Sequence, residues 1–199
     1  MPGLPITTHL LYLHGFRSSP QSVKARLMAE RMRREQPTVT WFCPQLPPSP
    51  QAAIHLTLKG ITGWPPDSTA VIGSSLGGFY ATWLAEQTGC KAVLLNPAVD
   101  PARDLAHYIG EQTSWHDPQE RFFFRNEFIQ ELHKLTLSHM TLAERYLTII
   151  AKGDELLDWR EMQARYVGAQ VHLLEGSDHG LSDFEKHLPV IMAFLGFDR

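Results

Sequence analysis

The sequence has little cysteine, no long apolar run and no basic stretch. Its only cysteines among 199 residues are Cys43 and Cys90, which do not form a Cys-x-x-Cys pair. Two isolated thiols favour a reducing compartment, with a single disulfide bridge as the alternative. The N-terminus lacks the basic region and apolar core of a signal peptide, and no stretch approaches the ~18 apolar residues of a membrane span. These absences predict a cytoplasmic protein without a membrane span, either a monomer or a homodimer.

Two classes of function are disfavoured by what the sequence lacks. The net charge is −3, and no basic run offers a surface for nucleic acid. Neither a His-Glu-x-x-His motif nor a His-x-His pair is present, which disfavours a metal-dependent hydrolase. The remaining composition, 43% hydrophobic and 20% charged residues, is that of an ordinary globular protein. A chain of this length is expected to form one domain.

Apolar runs of strand length alternate with segments of helical pattern along most of the chain. Near-continuous apolar strands separated by helices are typical of a parallel sheet covered on both faces. The sequence therefore predicts a three-layer α/β/α fold with a mainly parallel six-stranded sheet. The predicted strands are 8–13, 38–43, 69–73, 91–95, 146–151 and 170–175, and the predicted helices lie near 20–36, 51–60, 76–88, 159–166 and 183–195. Pro189 is expected to bend the last helix.

The alternation of strands and helices stops after the fourth strand. Residues 100–140 carry helical patterning and no obvious strand, so we predict a small helical cap insertion at about 102–145 within a single domain of residues 1–199. The phenylalanine-rich stretch 122–128 has two interpretations. It forms a lid or a wall of an acyl pocket, or it belongs to a cap helix that buries side chains at helical spacing. Those side chains are Phe124, Phe128, Leu132 and Leu135.

A Gly-x-Ser-x-Gly motif occupies residues 73–77, between a predicted strand and a predicted helix. A nucleophile elbow requires this setting, because its serine sits on a sharp strand-to-helix turn. Ser75 is therefore the candidate nucleophile. The amide of Leu76, at the start of the helix, would face a developing oxyanion. The alternative is a glycine-rich turn that only allows the helix to pack closely on the strand.

A serine nucleophile needs a base, and the base needs an acid that orients it. His179 lies in the predicted loop after the last strand, where this architecture places the base. The loop after the preceding strand offers Asp154 and Asp158. Asp158 has the spacing of a helix N-cap, and Asp154 lies nearer the strand end, so we favour Asp154 as the acid. For Asp178, which adjoins His179, a role in a turn is expected.

The segment after the first strand reads His14-Gly15-Phe16. A second oxyanion donor is expected from this loop, and the backbone amide of Phe16 is the candidate. His14 is interpreted as a supporting hydrogen-bonding group rather than a base. The alternative for the segment is a turn that merely ends the strand.

Together these residues resemble the α/β-hydrolase superfamily, which uses the same order of serine, aspartate and histidine. The resemblance rests on HGF at 14–16, GSSLGG at 73–78, GDELLD at 153–158 and DHG at 178–180. More narrowly, the chain resembles the small bacterial YqiA-type esterases at 11–25, 71–86, 94–101 and 177–191. The resemblance covers nearly the whole chain and is weakest at 102–145. It implies hydrolysis of carboxylic esters, without cofactor or metal, in a minimal fold that lacks the superfamily's first two strands.

The expected activity is therefore a serine esterase that acts on small-molecule esters with short to medium acyl chains. Two alternatives stay open. An acyl-thioesterase would use the same triad and the same acyl-enzyme, and would differ only in the leaving group. A non-catalytic binding protein would keep the fold and use the cleft for a ligand. Such a protein would normally have lost a member of the triad, and no member is missing here.

Overall fold

The computed structural model describes residues 6–197. Its main sheet has six parallel strands in the order β2-β1-β3-β4-β7-β8. Their bounds are β1 His9–Leu13, β2 Thr40–Phe42, β3 Thr69–Ser74, β4 Lys91–Leu95, β7 Tyr146–Ala151 and β8 Gln170–Leu174. Each predicted strand lies within two residues of its observed bounds, so the three-layer α/β/α prediction is confirmed.

Helices cover both faces of this sheet because successive strand side chains point to opposite sides. Leu11, Leu13 and Val71 face one hydrophobic cluster, which α2 to α5 complete. Leu10, Tyr12 and Ile72 face the other, which α1 and α7 complete. The helices are α1 Val23–Glu35, α2 Pro50–Gly60, α3 Leu76–Thr88, α4 Pro101–Leu105, α5 Asn126–Leu135, α6 Trp159–Arg165 and α7 Leu188–Phe194. The carboxyl ends of the strands therefore lie along one edge, where the loops meet.

Two helix boundaries differ from the prediction. Helix α1 begins at Val23, and the Ser19 hydroxyl accepts from the amide of Gln21 in a turn before it. The last predicted helix is two elements, a 3-10 turn at Phe184–His187 followed by α7. Pro189 lies in the first turn of α7, where its missing N–H breaks no helical hydrogen bond. It therefore starts a helix rather than bending one.

The segment between β4 and β7 contains a hairpin that the sequence does not predict. Strands β5 (Gly110–Thr113) and β6 (Arg121–Phe124) pair antiparallel, between helices α4 and α5. The expectation of no strand in this segment is wrong, since Phe122 and Phe124 belong to β6. Phe124 is nonetheless buried, and its ring packs against those of Phe16 and Phe128. The helical spacing is real for Phe128, Leu132 and Leu135, which lie on α5, and only Phe124 lies on a strand instead.

None of the helices in residues 6–197 is long and apolar enough to cross a membrane.

Candidate active site

Ser75 lies at the sharp turn between β3 and α3. Its backbone has φ 56° and ψ −120°, a left-handed conformation that costs a non-glycine residue about 1–3 kcal/mol. The surroundings hold it there, because its amide donates to the carbonyl of Leu95 at 3.0 Å and its carbonyl accepts from the amides of Gly78 and Ala98. The turn lifts the Ser75 side chain above the edge of the sheet.

The glycines of the motif are required by the close approach of α3 to the strands. A Cβ on Gly77 would lie 2.1 Å from the Leu13 carbonyl oxygen, and one on Gly73 would lie 2.2 Å from the Gly77 carbonyl oxygen. Such distances are far inside van der Waals contact, and the atoms met are backbone. The motif therefore allows the strained turn and also the tight packing beneath it.

His179 joins Ser75 to Asp154. Its Nε2 lies 3.0 Å from Ser75 Oγ, and its Nδ1 lies 2.8 Å from Asp154 Oδ2. A carboxylate only accepts, so Nδ1 carries the hydrogen and Nε2 is left to accept the hydroxyl proton. The Asp154 side chain is 0% exposed and that of His179 17% exposed. The three side chains predicted from the sequence thus form one hydrogen-bonded chain.

The two candidate acids have different positions. Oδ1 of Asp154 accepts from the amides of Leu156 and Leu157 at 2.9 and 2.8 Å, which fixes the carboxylate with its other oxygen toward His179. Asp158 caps α6, where its side chain accepts from the amide of Arg160. Asp178 accepts from the amide of Ser182 and serves a turn. The preference for Asp154 beside the histidine agrees with this geometry.

Asn96, at the end of β4, holds the loop that carries His179. Its Nδ2 donates to the carbonyls of Asp178 and His179 at 3.0 and 3.1 Å, and its Oδ1 accepts from the Ala151 amide at 2.8 Å. The residue is 0% exposed, with φ 42°. Sequence reasoning treated it only as the end of a strand. An asparagine directly before a proline at a strand end was the available signal.

The loop after β1 and the start of α3 supply the two predicted oxyanion donors. Within residues 6–197, neither the Phe16 amide nor the Leu76 amide donates a hydrogen bond to another group. His14 is buried below them, and its Nδ1 donates to the Gly15 carbonyl while its Nε2 accepts from the Leu46 amide at 3.0 Å. Burial lowers the pKa of His14 to about 4. A neutral His14 therefore supports the loop, as the sequence indicated.

A cleft of about 500 Å³ opens above Ser75 and His179. Its walls are largely apolar and include Leu105, Tyr108, Trp115, Leu156 and Leu157. At one side Lys24 donates to the carbonyl of Gly180, and burial lowers the pKa of its ammonium to about 8. The cleft has the volume and the lining of a site for a small organic molecule.

Arg17 attaches the loop after β1 to the β5–β6 hairpin. Its Nε and Nη2 donate to the carbonyl and hydroxyl of Thr113 at 2.7 and 3.1 Å. Its guanidinium lies 4.2 Å from the ring centre of Trp115, and its carbonyl accepts from the Trp115 amide. Sequence reasoning missed this residue, since no local pattern links positions 17 and 113.

Comparisons with known proteins agree with this architecture. By fold, the chain is similar to a protein of Agrobacterium vitis S4 (TM-score 0.73, 16% identity, covering 96% of this chain and 91% of that one). It is also similar to mouse alpha/beta hydrolase domain-containing protein 10, with a TM-score of 0.68 and 16% identity, over 94% of this chain and 88% of the mouse protein. A third similar structure is the esterase Pf2001 of Pyrococcus furiosus, with a TM-score of 0.60 and 17% identity, over 96% of this chain and 81% of the esterase. These likenesses show an α/β-hydrolase fold.

A family model matches almost the whole chain. It is described as an uncharacterised protein family, UPF0227, and it covers residues 9–196. That range includes every element that carries the candidate site. The chain therefore belongs to the UPF0227 family and has the α/β-hydrolase fold.

Proposed function

We propose that this protein is a serine esterase that hydrolyses carboxylic esters with Ser75, His179 and Asp154. The observation that carries the proposal is the continuous chain of hydrogen bonds from Ser75 Oγ through His179 to Asp154. A hydroxyl becomes an effective nucleophile when an oriented base accepts its proton. The known esterase among the similar folds supports the same class of reaction.

In the proposed cycle, Ser75 Oγ attacks the ester carbonyl while its proton moves to His179 Nε2. The amides of Phe16 and Leu76 hold the negative oxygen of the tetrahedral intermediate. His179 then donates the proton to the leaving alkoxide, and the alcohol departs. Asp154 stabilises the imidazolium through Nδ1 in both steps.

Water completes the cycle. His179 accepts a proton from the water as it attacks the acyl-enzyme carbonyl, and returns that proton to Ser75 when the carboxylic acid leaves. The apolar cleft above the triad suits short to medium ester substrates. The three reacting side chains are held in place by hydrogen bonds, Ser75 through its backbone, Asp154 through two amides and His179 through Asp154.

Labelling with a fluorophosphonate tests the nucleophile. The wild-type protein is expected to form a covalent Ser75 adduct, detected by intact mass and peptide mapping. Ser75→Ala should abolish labelling, and His179→Ala should slow it about 10³-fold or more, since the base is lost. The adjacent Ser74→Ala is the matched control and should keep the label. Labelling that survives in Ser75→Ala would exclude the assignment.

Turnover assays with oxygen esters and acyl-thioesters of equal chain length then identify the leaving group. Both pass through the same acyl-enzyme, so only the relative rates of acylation separate an esterase from a thioesterase. We expect the oxygen esters to have the higher kcat/KM.

A further inference from the structure

A second cavity, of about 460 Å³, lies beside the cleft that contains Ser75. The oxyanion loop, residues 15–18, lines both spaces. The walls of the second cavity are mainly apolar and aromatic. They include Phe16, Leu46, Leu56, Leu76, Tyr80 and Phe122, and the charged side chains among them are Arg17, Glu120 and Arg121. Arg17 is bonded to Thr113 and Arg121 is paired with Glu111. No local sequence pattern predicts this cavity, because its walls come from α2, α3, the loop after β2 and the hairpin.

Two residues that adjoin the nucleophile line this cavity. Leu76 directly follows Ser75 in the chain, and Gly15 lines both spaces. A Cβ placed on Gly15 would lie 3.2 Å from Ser75 Cβ and 3.7 Å from Ser75 Oγ, so the glycine lets the loop pack directly against the nucleophile. A group attached to Ser75 is therefore within reach of the second cavity.

The direction of proton transfer divides the substrate between the two spaces. In the proposed cycle His179 protonates the leaving oxygen, so the alcohol part is expected on the His179 side, among Leu156, Leu157 and Gly180. The carbonyl oxygen lies between the amides of Phe16 and Leu76. The acyl chain then extends from the carbonyl carbon away from His179, toward the second cavity.

Tyr80 gives this cavity a chemical preference. The residue is 3% exposed, and its hydroxyl has no hydrogen-bond partner in the part of the chain that the structure describes. Oε2 of Glu131, on α5, accepts from the Ser49 hydroxyl and the Gln51 amide, and no hydrogen bond joins Glu131 to Tyr80 within residues 6–197. Burial raises the pKa of the Tyr80 hydroxyl, which therefore remains a donor. The hydroxyl keeps some access to solvent on the side of the cavity that Tyr80 lines. A ligand oxygen in the cavity can therefore replace water as its acceptor, whereas a methylene group cannot.

Resting on the proposed esterase function, we propose that this cavity is the acyl pocket and that Tyr80 donates to an oxygen on the acyl chain. The preferred substrates are then esters of keto- or alkoxy-substituted acids rather than of plain alkanoic acids. The apolar walls receive the methylene groups, and the hydroxyl selects the oxygenated chain because a plain chain leaves it unpaired.

Matched pairs of 4-nitrophenyl esters test the preference. Each pair has equal chain length, and the keto oxygen is moved along the chain from one pair to the next. For the best-placed oxygen, kcat/KM is expected to exceed that of the plain ester by about fivefold to tenfold. Tyr80→Phe should reduce this ratio to near one. Tyr12→Phe is the matched control, because Tyr12 packs on the other face of the sheet, and it should keep the ratio. An equal ratio in wild type and Tyr80→Phe at every oxygen position overturns the proposal.

Filling the cavity tests its position on the reaction path. Leu56→Trp, which narrows it, should shorten the longest acyl chain accepted, measured as kcat/KM relative to the acetyl ester. Leu58→Trp, on the exposed side of the same helix, should leave the chain-length profile unchanged. A profile unaffected by Leu56→Trp would place the acyl chain elsewhere.

Calorimetric binding of the same ester pairs to the Ser75→Ala protein separates this inference from the proposed function. If the esterase assignment is wrong, no ester is hydrolysed, but the protein still binds the oxygenated ester more tightly and loses this preference in Tyr80→Phe. If the acyl-pocket proposal is wrong, the protein hydrolyses esters with Ser75, but the preference for the oxygenated chain does not change in Tyr80→Phe, either in turnover or in binding.

Discussion

The loops at the strand ends and the segment between β4 and β7 contribute to the same cleft in different ways. The strand-end loops hold their side chains by hydrogen bonds to the backbone, as Asp154 does through two amides and Asn96 through three groups. The segment between β4 and β7 contributes the apolar and aromatic walls Leu105, Tyr108 and Trp115, together with Asp104, His107 and His116. Directional bonds fix a reacting group, whereas apolar walls determine what fits. Changes in the loops should therefore affect kcat, and changes in the segment should affect selectivity.

The largest effect is expected at Asp154, the proposed acid of the triad. Asp154→Asn keeps the size of the side chain but removes the charge that orients His179, so kcat should fall about 10³- to 10⁴-fold. Asp158→Asn is the matched control, because asparagine is as good an N-cap as aspartate, and its activity should stay within about twofold of wild type. Steady-state kinetics on one ester checks both. A larger loss in Asp158→Asn would move the acid role to that residue.

Asn96→Ala should affect both stability and turnover. It leaves the Ala151 amide and two loop carbonyls without their partner, which should lower the free energy of unfolding by about 3 kcal/mol. The loosened His179 loop should lower kcat about tenfold to a hundredfold with little change in KM.

Urea unfolding and kinetics at a temperature where the variant is fully folded measure these two effects of Asn96→Ala separately. Asn96→Asp is the companion variant, since it keeps the acceptor for Ala151 and loses the two donors. Unchanged kcat per folded molecule in both variants would limit Asn96 to a structural role.

His14 should make stability depend on pH in the acid range. Its pKa is about 4 in the folded protein and about 6.5 in the unfolded chain, so the unfolded chain binds more protons between these values. The stabilising contribution is complete above pH 6.5 and is lost as the pH falls toward 4, a total of about 3 kcal/mol.

Denaturant unfolding of wild type and His14→Gln from pH 7 to pH 4 checks this contribution. Carboxylates affect both proteins alike, and glutamine can still donate and accept, so the difference between the two curves isolates His14. Parallel curves would show that protonation of His14 is not coupled to unfolding.

The smallest effect is expected where the two regions are joined. Arg17→Ala removes the hydrogen bonds to Thr113 and the contact with Trp115, which loosens the loop that carries the Phe16 amide. We expect kcat/KM to fall about tenfold. Glu111→Gln breaks an exposed ion pair with Arg121 on the same hairpin and should change kcat/KM less than twofold, because such pairs contribute little. If Arg17→Ala and Glu111→Gln lowered kcat/KM equally, the attachment of the loop to the hairpin through Arg17 would not contribute to activity.

Much of the sheet, and the places of the proposed triad residues along the chain, follow from local patterns in the sequence. The strand β3, the glycine motif and the start of α3 are contiguous, and the order of Ser75, Asp154 and His179 follows the order of the strands. The hairpin is different. Its strands are four residues long and have no clear alternation, and its pairing depends on Phe16 and Arg17, which lie far away in the chain.

The sequence by itself determined the strand order in the chain, the elbow at Ser75 and the loops that carry Asp154 and His179, because each depends on neighbouring residues. The sequence favoured Asp154 over Asp158, but only the tertiary structure decided the hydrogen bond between Asp154 and His179, how Asn96 holds that loop and where the two cavities lie. Those features are distances between residues that are far apart in the chain, and such distances are set only when the strands pair and the helices pack on them.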